Sequence, residues 1–274
     1  MRPYLLLALF IPFSTLLFAQ HSTRMYIDEP FDLNEQTILL IPFEADMYLS
    51  DANSAIAKYN SLETIEIIER FRRAVDQNIL HTFENCDVNS FYDMDQDSAH
   101  NILNHIRENV RMEYELVPKN NRENPAKTLA TKFKRKPKKQ SNNGIKNGQI
   151  VSKRDEKERY MKAIVTNDKI IDSLTKKFDV DYCIFITELD FNNIYTESMH
   201  LGSTDNEREL KLHYTIYRND GLMLSTGISK TKLPSHINNI NQIIGNYFPI
   251  LTQQIYDDLI REESRSNHLI EKAH

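Results

Sequence analysis

Asp93, Asp95 and Asp97 stand at alternate positions, the pattern that opens a calcium-binding loop. The continuation fails: Ser98 stands where such a loop needs glycine, and Asn104 where it needs a bidentate glutamate. The three acids read instead as the lead-in to a helix, whose amino end favours negative charge. His100 and His105 are five apart and point to different faces of a helix, whereas zinc takes the four-residue spacing of HExxH. Nucleophilic catalysis finds no G-x-S-x-G elbow and no histidine context around Cys86 or Cys183. The six glycines form neither GxxxxGK nor GxGxxG, so no nucleotide loop and no cofactor is implied.

Two stretches offer binding chemistry. The loop Glu44-Ala-Asp-Met-Tyr-Leu-Ser-Asp51 follows the first strand, where ligands of open sheets sit beyond the carboxyl ends of parallel strands. Glu44, Asp46, Tyr48, Ser50 and Asp51 could present acidic, aromatic and hydroxyl groups there. The bland reading is a loop that packs over the sheet and caps the next helix. The second stretch is basic: Lys132, Lys134, Arg135, Lys136, Lys138 and Lys139 crowd into eight positions. Its composition would suit nucleic acid, but an export signal removes that partner. An anionic envelope surface or an envelope protein remains, each cation near acidic lipid contributing ~1 kcal/mol. A solvated loop without a partner is the alternative.

The elements that must position these residues follow from periodicity. Thr37 to Phe43 is a buried strand stopped by Pro42. Glu44 to Asn60 reads as irregular, and an amphipathic helix is expected from Ser61, its N-cap. That helix would turn Ile65, Ile68, Phe71, Val75, Ile79 and Phe83 inward. A short strand near Cys86–Tyr92 and a helix over Asp97–Glu113 follow. Beyond the basic stretch come a strand over Tyr160–Thr166 and a helix over Asp168–Phe178 capped by Asn167. Strands over Val180–Asn192, Glu207–Arg218 and Leu222–Thr231 complete the sheet, the last two joined by the turn Asn219-Asp220-Gly221. A long final helix is expected from Ile237 to Arg261, bent near Gly245 and Pro249. The fold class is therefore mixed α/β: one sheet of about five to six strands flanked by helices, ending in an antiparallel meander and a long helix.

Residues 1–20 have the form of a secretory signal: Arg2, then an apolar run from Tyr4 to Phe18 broken by Pro12, too short for a membrane span. No later window approaches a transmembrane span. The mature chain is expected outside the cytoplasm, periplasmic or envelope-associated, where Cys86 and Cys183 are able to pair; the strand-like setting of Cys183 favours a free thiol. Between Lys119 and Arg159 there are 14 Lys or Arg against 4 Asp or Glu, so a basic insert interrupts an acidic body. Residues 21–274 read as one domain, with about 119–152 a disordered or weakly ordered insert.

Two segments carry a resemblance. Ile38-Leu-Leu-Ile-Pro-Phe leads into a long helix, and Phe178-Asp-Val-Asp-Tyr-Cys-Ile-Phe-Ile leads into the hairpin with Asp220-Gly221. This resembles the N-terminal domain of TolB and the related envelope domains of CsgG and LpoB over residues 37–92 and 160–262. Those pair an I-x-P-F strand with a G-x-D-Y-x-I strand and a D-x-x-T-G hairpin. Here Val180 stands near the usual Gly or Ala, and Gly221 follows Asp220 directly. As a whole the chain also resembles uncharacterised exported proteins typical of Bacteroidota, through Pro42 to Asp51, Arg159-Tyr-Met-Lys-Ala, Ile184-Phe-Ile-Thr-Glu-Leu and Leu233 to Pro249. The envelope resemblance implies binding or assembly without catalysis. An enzyme acting on envelope glycan or lipid, and a self-associating structural protein, are the alternatives.

Overall fold

The computed structural model describes residues 31–117, 143–146, 149–152, 158–167, 169–194 and 207–271. Residues 1–20, read above as a secretory signal, and the Lys132–Lys139 cluster lie outside them. The protein is mixed α/β. Its main sheet is built on strand β1 (Thr37–Ile41), whose side chains are apolar in both directions. Ile38 and Leu40 enter one core, Leu39 and Ile41 the other, as a strand covered on both faces requires. Strand β1 runs parallel to β3 (Asp87–Ser90) on one side and to β8 (Tyr182–Asn193) on the other. Strand β8 continues antiparallel into β9 (Glu207–Arg218) and β10 (Met223–Pro234), giving the order β10-β9-β8-β1-β3. Parallel pairing early and antiparallel pairing late is the expected arrangement. The turn between β9 and β10 uses Gly221 at φ 84°, a left-handed conformation that glycine adopts without strain.

One face of this sheet is covered by α2 (Thr64–Thr82) and the final helix α5 (Ile240–Glu271). Phe71 anchors that core, with ring centroids 5.8, 6.2 and 5.4 Å from Tyr48, Phe191 and Phe248. The other face carries α3 (Gln96–Asn109) and α4 (Lys169–Phe178), packed over Leu39, Ile41, Cys183 and Phe185. Both cysteines are free, Cys183 buried and Cys86 partly so.

Several local expectations shift. The stretch read as irregular contains α1 (Asn53–Asn60) and the short strand β2 (Tyr48–Ser50). Ser61 is the left-handed C-cap of α1 rather than the start of α2, which opens on a Glu63/Glu66 capping box. The inward stripe of α2 is Ile67, Phe71, Ala74, Val75 and Ile79, so Ile65 falls on the far side and is exposed. Helix α3 ends at Asn109, and β4 (Val110–Leu116) takes the residues expected to extend it. Inside the basic segment, Asn143–Lys146 and Gln149–Ser152 pair as an antiparallel ladder, β5 with β6.

Strand β7 (Arg159–Val165) forms where a strand is expected, but it stays out of the main sheet and pairs antiparallel with β4. Among the described residues no strand lies beside its other edge. A buried edge must still satisfy its amides and carbonyls, and here side chains do so. The amides of Met161, Ala163 and Val165 donate to His213 Nδ1 (2.8 Å), Thr215 Oγ1 (3.0 Å) and Tyr217 Oη (3.4 Å). Those acceptors alternate along one face of β9, matching the two-residue repeat of the edge they serve. In return Thr187 donates to the Met161 carbonyl and Tyr217 to that of Ala163. Thr226 gives its hydroxyl proton to the Tyr214 carbonyl, which leaves Thr215 as donor to Thr226.

This ladder yields a direct expectation. Thr215→Val keeps the shape but strands the buried amide of Ala163, at about 1–3 kcal/mol of stability. Thr215→Ser retains the acceptor and should lose much less. Urea unfolding of the two variants decides it, and equal midpoints would remove the ladder's energetic role.

Candidate functional site

The cleft of interest arises where two strands part company. Strand β1 pairs with β8 up to Ile41–Phe185, and β2 resumes that pairing at Tyr48–Leu189. Between them Pro42, without an amide to donate, turns the chain away. Opposite this departure β8 carries an irregularity between Ile186 and Glu188, with Thr187 as the extra residue. The space left is a cavity of about 260 Å³ at the carboxyl end of β1. Ile41 and Ile186 lie at its base, Leu103 and Ile106 of α3 on one wall, and Val110 and Met112 of β4 on another. Its polar members are Glu44, Arg72, Arg107 and Thr187. Arg107 pairs through Nε with Glu44 and through Nη1 with Asn104 Oδ1 at 3.0 Å. Arg72 donates from Nε to the Phe43 carbonyl at 2.9 Å and from Nη1 to Glu69 at 3.0 Å, and its guanidinium lies 5.9 Å from the Phe43 ring centroid.

Of the five loop residues expected to bind, the structure brings Glu44 alone to this cleft. Asp46 is exposed on the loop. Tyr48 is buried and donates to Asn53 Oδ1 at 2.7 Å. Ser50 bonds the Phe191 carbonyl and the Ala52 amide, each at 3.0 Å. Asp51 accepts from the amide and side chain of Asn193, both at 2.8 Å. The basic residues Lys132, Lys134, Arg135, Lys136, Lys138 and Lys139 lie outside the described residues.

A second constellation, not anticipated from motifs, lies where β4 and β7 roof β8 and β9. The extra residue Thr187 shifts the side-chain parity of β8. Tyr182, Ile184 and Ile186 face the α2–α5 core before it, and Leu189 and Phe191 do so after it. Glu188 and Asp190 are thereby turned toward His213. His213 Nε2 lies 3.6 Å from Glu188 Oε1 and 3.5 Å from Asp190 Oδ2. Tyr114, two residues beyond Met112 on β4, donates to Glu188 Oε2. His213 and Glu188 are each 1% exposed. Asp190 Oδ1 and His213 Nε2 are buried without a hydrogen-bond partner among the described residues.

Spacing alone would admit a divalent ion, because one ligand atom each from Glu188, Asp190 and His213 lie within 4.8 Å of one another. The hydrogen bonding decides otherwise. Nδ1 of His213 accepts the Met161 amide and so carries no proton, which places the neutral ring's proton on Nε2. A metal would need that Nε2 lone pair, with Nδ1–H donating to an acceptor. Here the neighbour of Nδ1 is itself a donor. The surroundings instead favour the protonated form of Glu188. Burial holds the Glu188 carboxyl above the ordinary range, against the opposing pull of the Tyr114 hydroxyl, and Asp190 adds repulsion.

The other motif residues serve helices or solvent. Asp95 caps α3 by accepting from the Ser98 amide, while His100 and His105 are exposed. The signal for the cluster was present in Ile186-Thr-Glu-Leu-Asp190, where apolar alternation changes parity inside a strand. Arg72 and Arg107 had no sequence signal beyond lying on polar helix faces.

No known protein family matches the chain, and no curated protein matches it. Among solved structures, a lipoprotein of Neisseria meningitidis is similar at 12% identity and TM-score 0.32, covering 81% of this chain and 99% of that one. A hypothetical protein of Chlamydia trachomatis is similar at 8% identity and TM-score 0.31, covering 84% and 93%. Likeness at that level leaves the functional reading to the geometry. Among the described residues no helix is long and apolar enough to cross a membrane.

The cluster has a testable sign. A carboxyl raised in the folded state contributes stability that is fully present below its unfolded value and is lost as pH rises through the folded one. Glu188 should therefore give a decline in stability beginning above about its ordinary 4.5. Glu188→Gln stays neutral, can still accept from Tyr114, and should gain on the wild type progressively over that window. Urea midpoints from pH 4 to 8 measure it; parallel curves for the two proteins would contradict a raised Glu188 carboxyl.

Proposed function

We propose that this chain is an exported, envelope-associated binding or assembly module that works without catalysis. The observation that carries the reading is the chemistry of the cleft at the end of β1. Its walls are apolar, and its ionisable residues are committed to the pairs Glu44–Arg107 and Glu69–Arg72 rather than poised for proton transfer. An enzyme acting on envelope glycan or lipid would look to the Glu188–Asp190 pair. Glu188 and His213 are each 1% exposed and the Asp190 side chain 16%, which leaves a substrate little surface to reach. The signal-like N-terminus and the resemblance to TolB-type and Bacteroidota exported proteins support the compartment.

In this reading the basic segment supplies a second contact, with an anionic envelope surface or an envelope protein. The chain on either side of it is joined, since the Val117 amide donates to the Glu158 carbonyl at 2.9 Å. Removal of Lys119 to Ser152 should therefore leave cooperative unfolding intact, because long surface insertions add little closure entropy. Loss of the cooperative transition would make the segment structural.

The functional test is crosslinking in cells of the tagged full chain beside a variant with all six residues Lys132, Lys134, Arg135, Lys136, Lys138 and Lys139 changed to Gln. The expected result is one recurrent envelope component, with capture weakened in the variant. Recovery of the chain's own copies alone would favour a structural self-associating protein. Turnover of an envelope glycan or lipid by the purified chain would overturn the non-catalytic reading.

A further inference from the structure

Resting on the reading of the β1-end cleft as a binding site, we infer that its ligand is a small apolar chain ending in an anionic oxygen group, the anion held between Arg72 and Arg107. The volume sets the size. About 260 Å³ falls below the roughly 300–1,000 Å³ of sites for drug-sized molecules. The lining sets the body of the ligand: apart from Phe43 its apolar members are aliphatic and thioether, with Met47 and Met112 able to adapt to an unbranched chain. The arginines set the head. Each uses Nε and Nη1 on protein acceptors, and neither Nη2 finds an acceptor among the described residues. Two guanidiniums with unused donors on one apolar cleft suit a carboxylate or phosphate oxygen, which accepts paired N–H groups in their fork geometry.

Glu44 then has a defined part. Its carboxylate holds Arg107 in the free protein, and a ligand head arriving at the rim competes with it for the same guanidinium. Both partners are half-exposed, at 38% and 48% of the side chain, so exchange carries little desolvation penalty. Removing Glu44 should strengthen binding, and removing Arg107 should weaken it.

The test is titration of the full mature chain with octanoate, octyl phosphate and octanol, followed by calorimetry and by amide NMR shifts at Ile41, Met112 and Ile186. Octanoate or octyl phosphate should bind saturably and at least tenfold tighter than octanol, and the stronger of the two identifies the head group. Arg107→Gln should lose about tenfold for the anion and little for octanol, while Glu44→Gln should bind the anion severalfold tighter. Arg107 is exposed enough that its replacement leaves the core untouched, and unchanged urea midpoints check this. Equal binding of octanol and the anions, indifferent to Arg107→Gln, would overturn the anion site and leave an apolar slot. Binding by none of the three would overturn the inference outright, whereas the envelope-module reading fails separately, by turnover of a glycan or lipid.

Discussion

A buried strand edge cannot be left with bare amides, and the whole second face of this protein is organised around that constraint. Among the described residues strand β7 is paired on one side only, yet it packs against the main sheet where water cannot serve its backbone. His213, Thr215 and Tyr217 take the place of a neighbouring strand, each meeting one amide. The same device recurs on a smaller scale at the outer edge of β10. There the Gln254 side chain accepts from the Lys230 amide at 2.9 Å and donates to its carbonyl at 3.2 Å. Side chains placed at the strand period thus close edges that would otherwise invite pairing with another chain.

Two consequences follow for function. Because β7 is held, its partner β4 is held, and β4 contributes Val110 and Met112 to the wall of the cleft. The cleft is in this sense preformed, shaped by Pro42, by the extra residue Thr187 and by a roof that the ladder fixes. The ladder also decides the tautomer of His213. By occupying Nδ1 with an amide, it turns a set of residues with metal-like spacing into a proton-holding cluster beneath Tyr114. The setting of Glu188 and Asp190 is therefore a property of backbone satisfaction on a neighbouring strand.

The main sheet was legible in the sequence because its signals are periodic and local. Thr37–Ile41, the alternation of Glu207–Arg218 and the Asp220-Gly221 turn each specify an element without help from tertiary contacts. The phase of α2 was harder. Ile65 and Ile67 are equally apolar, and the choice between them was made by the capping box at Glu63, which starts the helix later than Ser61 would. Strand β4 was obscured because its exposed residues Arg111, Glu113 and Glu115 continue a helical composition, and only pairing with β7 makes it a strand. Of the site, Glu44 was found by its place after β1. Arg72 and Arg107 reach the cleft through the packing of α2 and α3, which no single segment encodes. His213 looked like one more member of an alternating strand. Its role depends on Met161, 52 residues earlier.

Amide hydrogen exchange along β7 in the full chain tests the central claim most directly. If side chains complete the strand, the amides of Met161, Ala163 and Val165 exchange as slowly as those of Lys162 and Ile164, which the antiparallel alternation turns toward β4. If Lys162 and Ile164 are protected while Met161, Ala163 and Val165 exchange at the rate of open chain, the edge is free. The ladder, the preformed cleft and the His213 assignment would then fall together.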